Sequence, residues 1–215
     1  MKKYLFILIL FSFTHSLYAQ NEYTFTVFGE PQISWMSPDS RDVESDGSQI
    51  CFNAGFNFDN FFAERYAYST GLSINKIKGK LHYKDSRDIS AQDTTYKITD
   101  DVVSYNLQYL DIPLGLKFKT IEIGYTSFFA HLGLNAAINI KSSADLPGSK
   151  DVNVSDEVNW YNLSYYIGAG IEYSIGGSTA LVGGITYKNG FLDITKNNNN
   201  KVTSGNVSLR LGILF

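Results

Sequence analysis

The stretch "VSLRLGILF" (207–215) decides the fold class that the sequence predicts. Apolar residues alternate with small or polar ones along it. The apolar set occupies one face: Val207, Leu209, Leu211, Ile213 and Phe215. A period of two residues is the pattern of a β-strand with one apolar face. An aromatic side chain at the end of such a strand is typical of a strand that ends near a membrane surface.

The same alternation runs along the rest of the chain. It is clear in "YTFTVFGEPQISW" (23–35), "QICFNAGFNFD" (49–59) and "LSYYIGAGIEYSI" (163–175). In each stretch the second face carries Thr, Gln, Asn, Gly, Ser or a single charge. We find no amphipathic helical pattern of useful length. The predicted fold class is therefore all-β.

The composition agrees with interleaved apolar and polar residues. Charged residues make up 18% of the 215 residues, whereas ordinary soluble proteins have roughly 25%. Aromatic residues reach 15%, yet no long apolar run follows the first 20 residues. The length suits one domain, or at most two small ones.

The first residues, "MKKYLFILILFSFTHSLYAQ" (1–20), predict a signal peptide over 1–19 and a barrel domain over 20–215. Lys2 and Lys3 precede an apolar segment, and Ala19 ends a plausible cleavage site. The alternative is an uncleaved anchor, but the apolar run is short for a bilayer. Without the peptide, 16 basic and 21 acidic residues leave a net charge of −5. We therefore expect no nucleic-acid partner.

The strands and their connections predict an eight-stranded antiparallel up-and-down transmembrane β-barrel. Long polar connections alternate with short turns, as in the outer-membrane barrels of Gram-negative bacteria, and both termini are expected in the periplasm. A soluble sandwich or lipocalin, with the apolar face inward, is the alternative. The predicted strands lie near 22–36, 49–60, 65–78, 103–118, 124–141, 158–175, 179–192 and 203–215.

Aromatic spacing favours the membrane alternative. Tyr23 and Trp35 share a face and lie 12 residues apart, about 40 Å along a strand at ~3.3 Å per residue. With a tilt of ~40° this projects to roughly 30 Å, near the ~25 Å apolar band between aromatic girdles. Phe215 is expected at the periplasmic girdle.

The fourth predicted strand, "YNLQYLDIPLGLKFK" (105–119), departs from simple alternation. Its apolar residues change phase between Tyr109 and Leu110, and Pro113 lacks the N–H that a central ladder needs. A β-bulge near 109–113 would explain both features.

The stretch "YLDIPLGLKF" (109–118) resembles the Y-L-E-I-P-L-x-L-K-Y signature of the PorT-like outer-membrane β-barrel family. The likeness extends to "FFAERYAYSTGLSINKIKGK" (61–80) and "YYIGAGIEY" (165–173), although "GEPQISW" (29–35) departs from the family's first-strand pattern. The resemblance implies an eight-stranded barrel. It also implies partners, namely outer-membrane lipid, the barrel-insertion machinery that recognises an aromatic C-terminal strand, and proteins of a secretion complex.

Charged residues on the predicted inner faces suggest a plugged lumen, because eight strands leave an interior that side chains can fill. Such charges must be paired and hydrogen-bonded. The alternative is a narrow ion path or a small-ligand cavity. The predicted inward set is Glu30, Asp59, Arg65, Asp111, Lys117, His131, Glu172, Lys188 and Arg210.

The sequence predicts no catalytic, cofactor-binding or metal-binding residue, and we expect that the protein is not an enzyme. His82 with Asp85, Ser86 or Asp88 is the one candidate for a hydrolase site at the outer rim. Cys51, the single cysteine, is interpreted as structural. The expected function is an integral outer-membrane barrel with a structural or interaction role. The alternatives are an accessory component of a protein-secretion complex and a rim-sited lipid or ester hydrolase.

Overall fold

A computed structural model describes residues 22–91, 94–196 and 200–215. The predicted signal peptide and most of the "NNNN" run (197–200) lie outside this range. The chain forms these strands: β1 (Glu22–Pro38), β2 (Val43–Ser45), β3 (Gln49–Ala63), β4 (Tyr66–Tyr83), β5 (Arg87–Ala91), β6 (Thr94–Ile98), β7 (Asp101–Lys119), β8 (Thr126–Leu146), β9 (Ser149–Asn153), β10 (Tyr161–Gly176), β11 (Thr179–Gly190) and β12 (Val202–Leu214).

Eight long strands close into an antiparallel barrel. Going round, β1, β3, β4, β7, β8, β10, β11 and β12 each pair with the next. The ring closes where β12 pairs with β1, with Val27 opposite Ile213. Closure leaves no unpaired edge. The predicted all-β, eight-stranded barrel is confirmed. In the part of the chain that the structure describes, no helix is long and apolar enough to cross a membrane.

The two ends of the barrel differ. The turn end carries the short connections 64–65, 120–125 and 177–178, together with Glu22 and Phe215. The loop end carries the long connections 39–48, 84–100, 147–160 and 191–201, in which β2, the β5–β6 hairpin and β9 lie. The predicted alternation of long and short connections is therefore present.

Aromatic side chains form two belts on the outer surface of the barrel. At the turn end Tyr23 stacks on Phe58 with ring centroids 5.3 Å apart. At the loop end Trp35 stacks on Tyr187 at 6.4 Å. Exposed Val, Leu and Ile side chains lie between the belts. Such a surface suits a bilayer, whose hydrocarbon lies between two interfaces that favour aromatic rings.

The apolar residues of β7 do change phase between Tyr109 and Leu110, but the strand itself alternates between inward and outward positions without a break there. Tyr105, Leu107 and Tyr109 point inward and are at most 2% exposed. From Leu110 to Phe118 the apolar residues are on the outer face. The apolar residues change faces because the interior itself is apolar near the loop end and polar further down. The sequence pattern does not distinguish these two environments, because the exposed residues of one and the buried residues of the other are both apolar.

A register irregularity does lie at Gln108 and Tyr109, at the edge of the predicted stretch. Gln108 is opposite Lys141 and Tyr109 is opposite Asn139, so the extra residue is Ile140 of β8. The β4–β7 register skips Ile112 and Pro113. Pro113 therefore occupies a position where the ladder to β4 is already interrupted, which explains why its missing N–H is tolerated.

Candidate functional site

The barrel interior is the first candidate site, and near the turn end it is held by a buried ion-pair network. The Nζ atom of Lys117 lies 2.6 Å from Asp59 Oδ2 and 2.7 Å from Glu172 Oε1. Lys119 reaches the other Glu172 oxygen at 2.8 Å. The hydroxyl of Ser69 donates to Asp59 Oδ1 at 2.5 Å. Both carboxylates thus have charged partners, as burial requires.

A second network crosses the middle of the lumen. Lys188 Nζ on β11 lies 2.7 Å from Asp111 Oδ2 on β7, and the Asn75 amide donates to the same oxygen at 2.9 Å. Gln32 donates in turn to Asn75 Oδ1 at 2.7 Å. This chain of hydrogen bonds joins four strands across the interior.

A third network lies beside it. Arg210 Nε donates to Glu30 Oε1 at 2.6 Å, and the Asn53 amide donates to Glu30 Oε2 at 2.7 Å. The Arg210 guanidinium also lies 4.2 Å from the centroid of the Phe28 ring, which adds a cation–π contact.

The interior charges balance. Among the described residues, four carboxylates (Asp59, Glu172, Asp111, Glu30) face four cations (Lys117, Lys119, Lys188, Arg210). A cavity of about 30 Å³ remains beside them, lined in part by Asn135 and Ser208. This is room for a water molecule or two. The interior is a filled and paired core.

His131 lies in this interior among apolar and hydroxyl groups. Its Nε2 atom is 3.1 Å from Thr186 Oγ1, and its ring contacts Phe129 and Tyr166 edge-on. Gly168 makes room for it: an added Cβ there would lie 2.2 Å from His131 Nε2. His131 is therefore a packed interior residue.

Eight of the nine predicted inward residues do face the interior, namely Glu30, Asp59, Asp111, Lys117, His131, Glu172, Lys188 and Arg210. Arg65 is wrong. It lies in the two-residue turn between β3 and β4 and is exposed. Lys119 was missed, although it shares the alternation phase of Lys117, because the predicted strand ended at 118.

The loop end is the second candidate site, and here the interior is apolar. A buried cluster, hereafter the loop-end cluster, contains residues from the loop-end parts of the strands and from the long connections. Its members are Met36, Val43, Ile77, Leu81, Tyr83, Ile89, Ile98, Val103, Tyr105, Leu107, Tyr109, Ala137, Ala144, Leu146, Val154, Val158, Ile194 and Val202. From the sequence alone these connections are expected to be polar.

Polar contacts stabilise the loop-end cluster, both within it and in the connections next to it. The hydroxyls of Tyr83 and Tyr105 are 2.9 Å apart. Burial raises the pKa of both groups above the usual tyrosine value. Arg87, whose guanidinium lies 5.0 Å from the Tyr83 ring centroid, pairs with Glu157 at 3.3 Å. Asp193 accepts three hydrogen bonds from Thr195 and Val202.

The predicted rim site is arranged differently. His82 Nε2 lies 3.0 Å from Asp100 Oδ1, in an exposed position at the end of β4. Ser86 is hydrogen-bonded to Thr99 at 3.3 Å. His82 therefore has a carboxylate partner, but it is none of the three predicted residues. Among the described residues no His, Cys, Asp and Glu group is placed to hold a metal ion. Cys51 is buried, with Sγ 3.1 Å from Ser34 Oγ.

Comparison with known proteins gives a family match. Residues 15–212 match the family described as outer membrane protein beta-barrel domain. The search of curated protein sequences finds no match.

Solved structures of similar shape are outer-membrane barrels. Neisserial surface protein A has a TM-score of 0.50 at 12% identity, covering 91% of this chain and 98% of that one. OprG from Pseudomonas aeruginosa scores 0.48 at 12% identity, covering 89% and 94%. The outer membrane protease OmpT from Escherichia coli scores 0.46 at 6% identity, covering 93% and 99%. At these identities the likeness concerns the fold alone.

Proposed function

This chain belongs to the outer membrane protein beta-barrel domain family, and we propose that it is a closed, non-conducting barrel of the Gram-negative outer membrane with an interaction role. The observation that carries the proposal is the loop-end cluster. Buried side chains from the β2 segment, the β5–β6 hairpin and the 154–158 segment pack on the barrel mouth. These contacts hold the long connections in a fixed arrangement over the barrel mouth, which we call the platform.

The platform suits binding better than transport. Beneath it, four cations and four carboxylates pair inside the lumen. A solute would have to break these pairs, and breaking one buried pair costs about 3–5 kcal/mol. An ordered surface, in contrast, loses little conformational entropy when a partner binds.

The proposed orientation places the loop end outside the cell and both termini in the periplasm. Impermeant maleimide labelling of intact cells tests it in a Cys51→Ser background. We expect Lys150→Cys, at the loop end, to react in intact cells. Ser178→Cys, in a turn at the other end, should react only after lysis. The reverse result would overturn the orientation.

An accessory role in protein secretion is the alternative that the family resemblance suggests. A tag inserted within 196–201 permits purification of the protein from membranes in mild detergent. A barrel that emerges alone supports an independent surface protein. A stoichiometric secretion subunit that remains bound after washing would replace our proposal with the secretion role.

We also propose that the rim carries no hydrolase. His82 and Asp100 form an exposed pair, with side chains 32% and 76% exposed, and the predicted Ser86 bonds to Thr99 instead. Purified protein should show no ester hydrolysis above a His82→Ala control. Hydrolysis that this substitution abolishes, with the barrel still folded, would establish the enzyme.

A further inference from the structure

Three lysines form a row on the outer surface of β4 just beyond its apolar part. Leu72 and Ile74 occupy the same face lower down and are about 40% exposed. Lys76, Lys78 and Lys80 then follow at every second position. We call these three residues the lysine row.

On β7, which pairs with β4, the outward residues change from apolar to polar opposite the start of the lysine row. Ile74 is paired with Leu110, and the next outward pair is Lys76 with Gln108. Above it Lys78 is opposite Asn106 and Lys80 is opposite Ser104. The continuous apolar surface of β4 and β7 therefore ends at Ile74 and Leu110, and the lysine row begins there; Val102, opposite His82, is an exposed apolar residue further along β7.

The lysine row lacks protein counter-ions. Elsewhere in the described chain, Lys84 pairs with Glu44, Lys141 with Asp151 and Arg87 with Glu157. Within the residues that the structure describes, no carboxylate oxygen lies within 4.0 Å of the ammonium groups of the lysine row. Three like charges on one face repel one another unless an external anion lies between them.

The lysine row is long enough to cross a headgroup layer. The four residue steps from Lys76 to Lys80 span about 13 Å at ~3.3 Å per residue. A strand tilt of ~40° reduces this to about 10 Å along the membrane normal. The polar layer of a bilayer is roughly 5–7 Å thick on each side. Lysine side chains also extend readily from an apolar surface to a polar one.

We propose that the lysine row binds the phosphate groups of phosphorylated glycolipid in the outer leaflet of the outer membrane. The leaflet assignment rests on the proposed orientation of the loop end. A lipid partner is favoured because the row continues the lipid-facing surface, so a headgroup anchored there by its acyl chains is delivered to the ammonium groups.

The test uses the full-length folded protein in zwitterionic micelles and measures its affinity for purified lipid A and for dephosphorylated lipid A. One variant carries Lys76→Gln, Lys78→Gln and Lys80→Gln. The matched control carries Lys97→Gln, Lys150→Gln and Lys201→Gln, three exposed lysines of the long connections. A slower-to-faster shift in gel migration between boiled and unboiled samples verifies that both variants are folded.

We expect a loss of about fivefold for each lysine of the row, hence roughly 100-fold for the triple variant, and little change in the control. Dephosphorylated lipid should bind the wild-type protein as weakly as lipid A binds the triple variant. Equal losses in the two variants, or no loss in either, would overturn the proposal. Micelles expose both ends of the barrel, so this result is independent of the labelling experiment that tests orientation.

Discussion

Lys188 and Asp111 meet inside the barrel, with Nζ 2.7 Å from Oδ2, although 77 positions separate them in the chain. Their strands, β11 and β7, are not neighbours, since β8 and β10 lie between them on the shorter way round. The pair therefore spans the lumen. Side chains from non-adjacent strands thus bridge the interior.

The Asp111→Ala variant should be strongly destabilised, because it leaves the Lys188 ammonium buried without its partner. We expect a loss of about 3–5 kcal/mol in the free energy of unfolding. Urea unfolding in lipid vesicles measures it. The control is Asp151→Asn, which removes an exposed carboxylate 3.9 Å from Lys141 and keeps a side chain that tolerates the positive φ of this residue; it should cost about 0–1 kcal/mol. Similar losses in both variants would mean that Lys188 does not depend on Asp111.

Gly168→Ala should destabilise the barrel by about 1–3 kcal/mol through overpacking, since the new Cβ would lie 2.2 Å from His131 Nε2. Gly183→Ala is the matched control. Its nearest neighbour would be Ile171 Cγ1 at 3.9 Å, an ordinary contact. Equal thermal unfolding temperatures for the two variants would show that the His131 ring does not pack against Gly168.

The loop end should loosen at high pH. Burial raises the pKa of the Tyr83 hydroxyl, with nearby Arg87 opposing the shift, and raises that of Tyr105 well above its usual range. A raised pKa in the fold means that the protonated form is stabilised. That stabilisation is complete below about pH 10 and is lost as the pH rises through the raised values. Tyrosinate absorbance should show late titration that disappears in a Tyr83→Phe, Tyr105→Phe variant. Titration that is unaltered by these substitutions would contradict the expectation.

The loop-end cluster should protect the long connections from proteases. Ile98 is 1% exposed, and Ile98→Ala removes buried methyl groups, at a cost of about 2–5 kcal/mol. We expect faster cleavage within 84–100 on intact barrels. Thr95→Ala on the same hairpin strand, at an exposed position, should leave the rate unchanged. Equal rates would show that the hairpin is not held by the cluster.

The sequence predicts the barrel well because period-two alternation follows directly from strand geometry. Because alternate residues of a strand point to the same side of the barrel wall, the sequence correctly places Glu30, Asp111 and Arg210 in the interior. The same alternation places Tyr105 and Leu107 inside, because each lies an even number of residues from Asp111. Their apolar side chains, however, are of the kind expected on the lipid-facing surface, and this favours the wrong assignment. The error arises because the lumen changes from polar to apolar along its length, which no local pattern reveals.

The loop-end cluster was missed for a related reason. Val43, Ile89, Ile98, Val154 and Ile194 are single apolar residues within polar connections. Each is uninformative alone, because isolated apolar residues are common on protein surfaces. Only the closed barrel brings them to one place. Cross-lumen partners such as Lys188 and Asp111 likewise depend on the arrangement of non-adjacent strands.

Ion conductance of the wild-type protein in planar lipid bilayers tests the central claim, that the barrel is closed, most directly. Paired charges and the loop-end cluster predict a silent membrane, with no discrete current steps after insertion of folded barrel. Insertion is verified independently by the heat-dependent shift in gel migration. Regular steps of uniform size from the folded wild-type protein would contradict the account and establish an open path through the lumen.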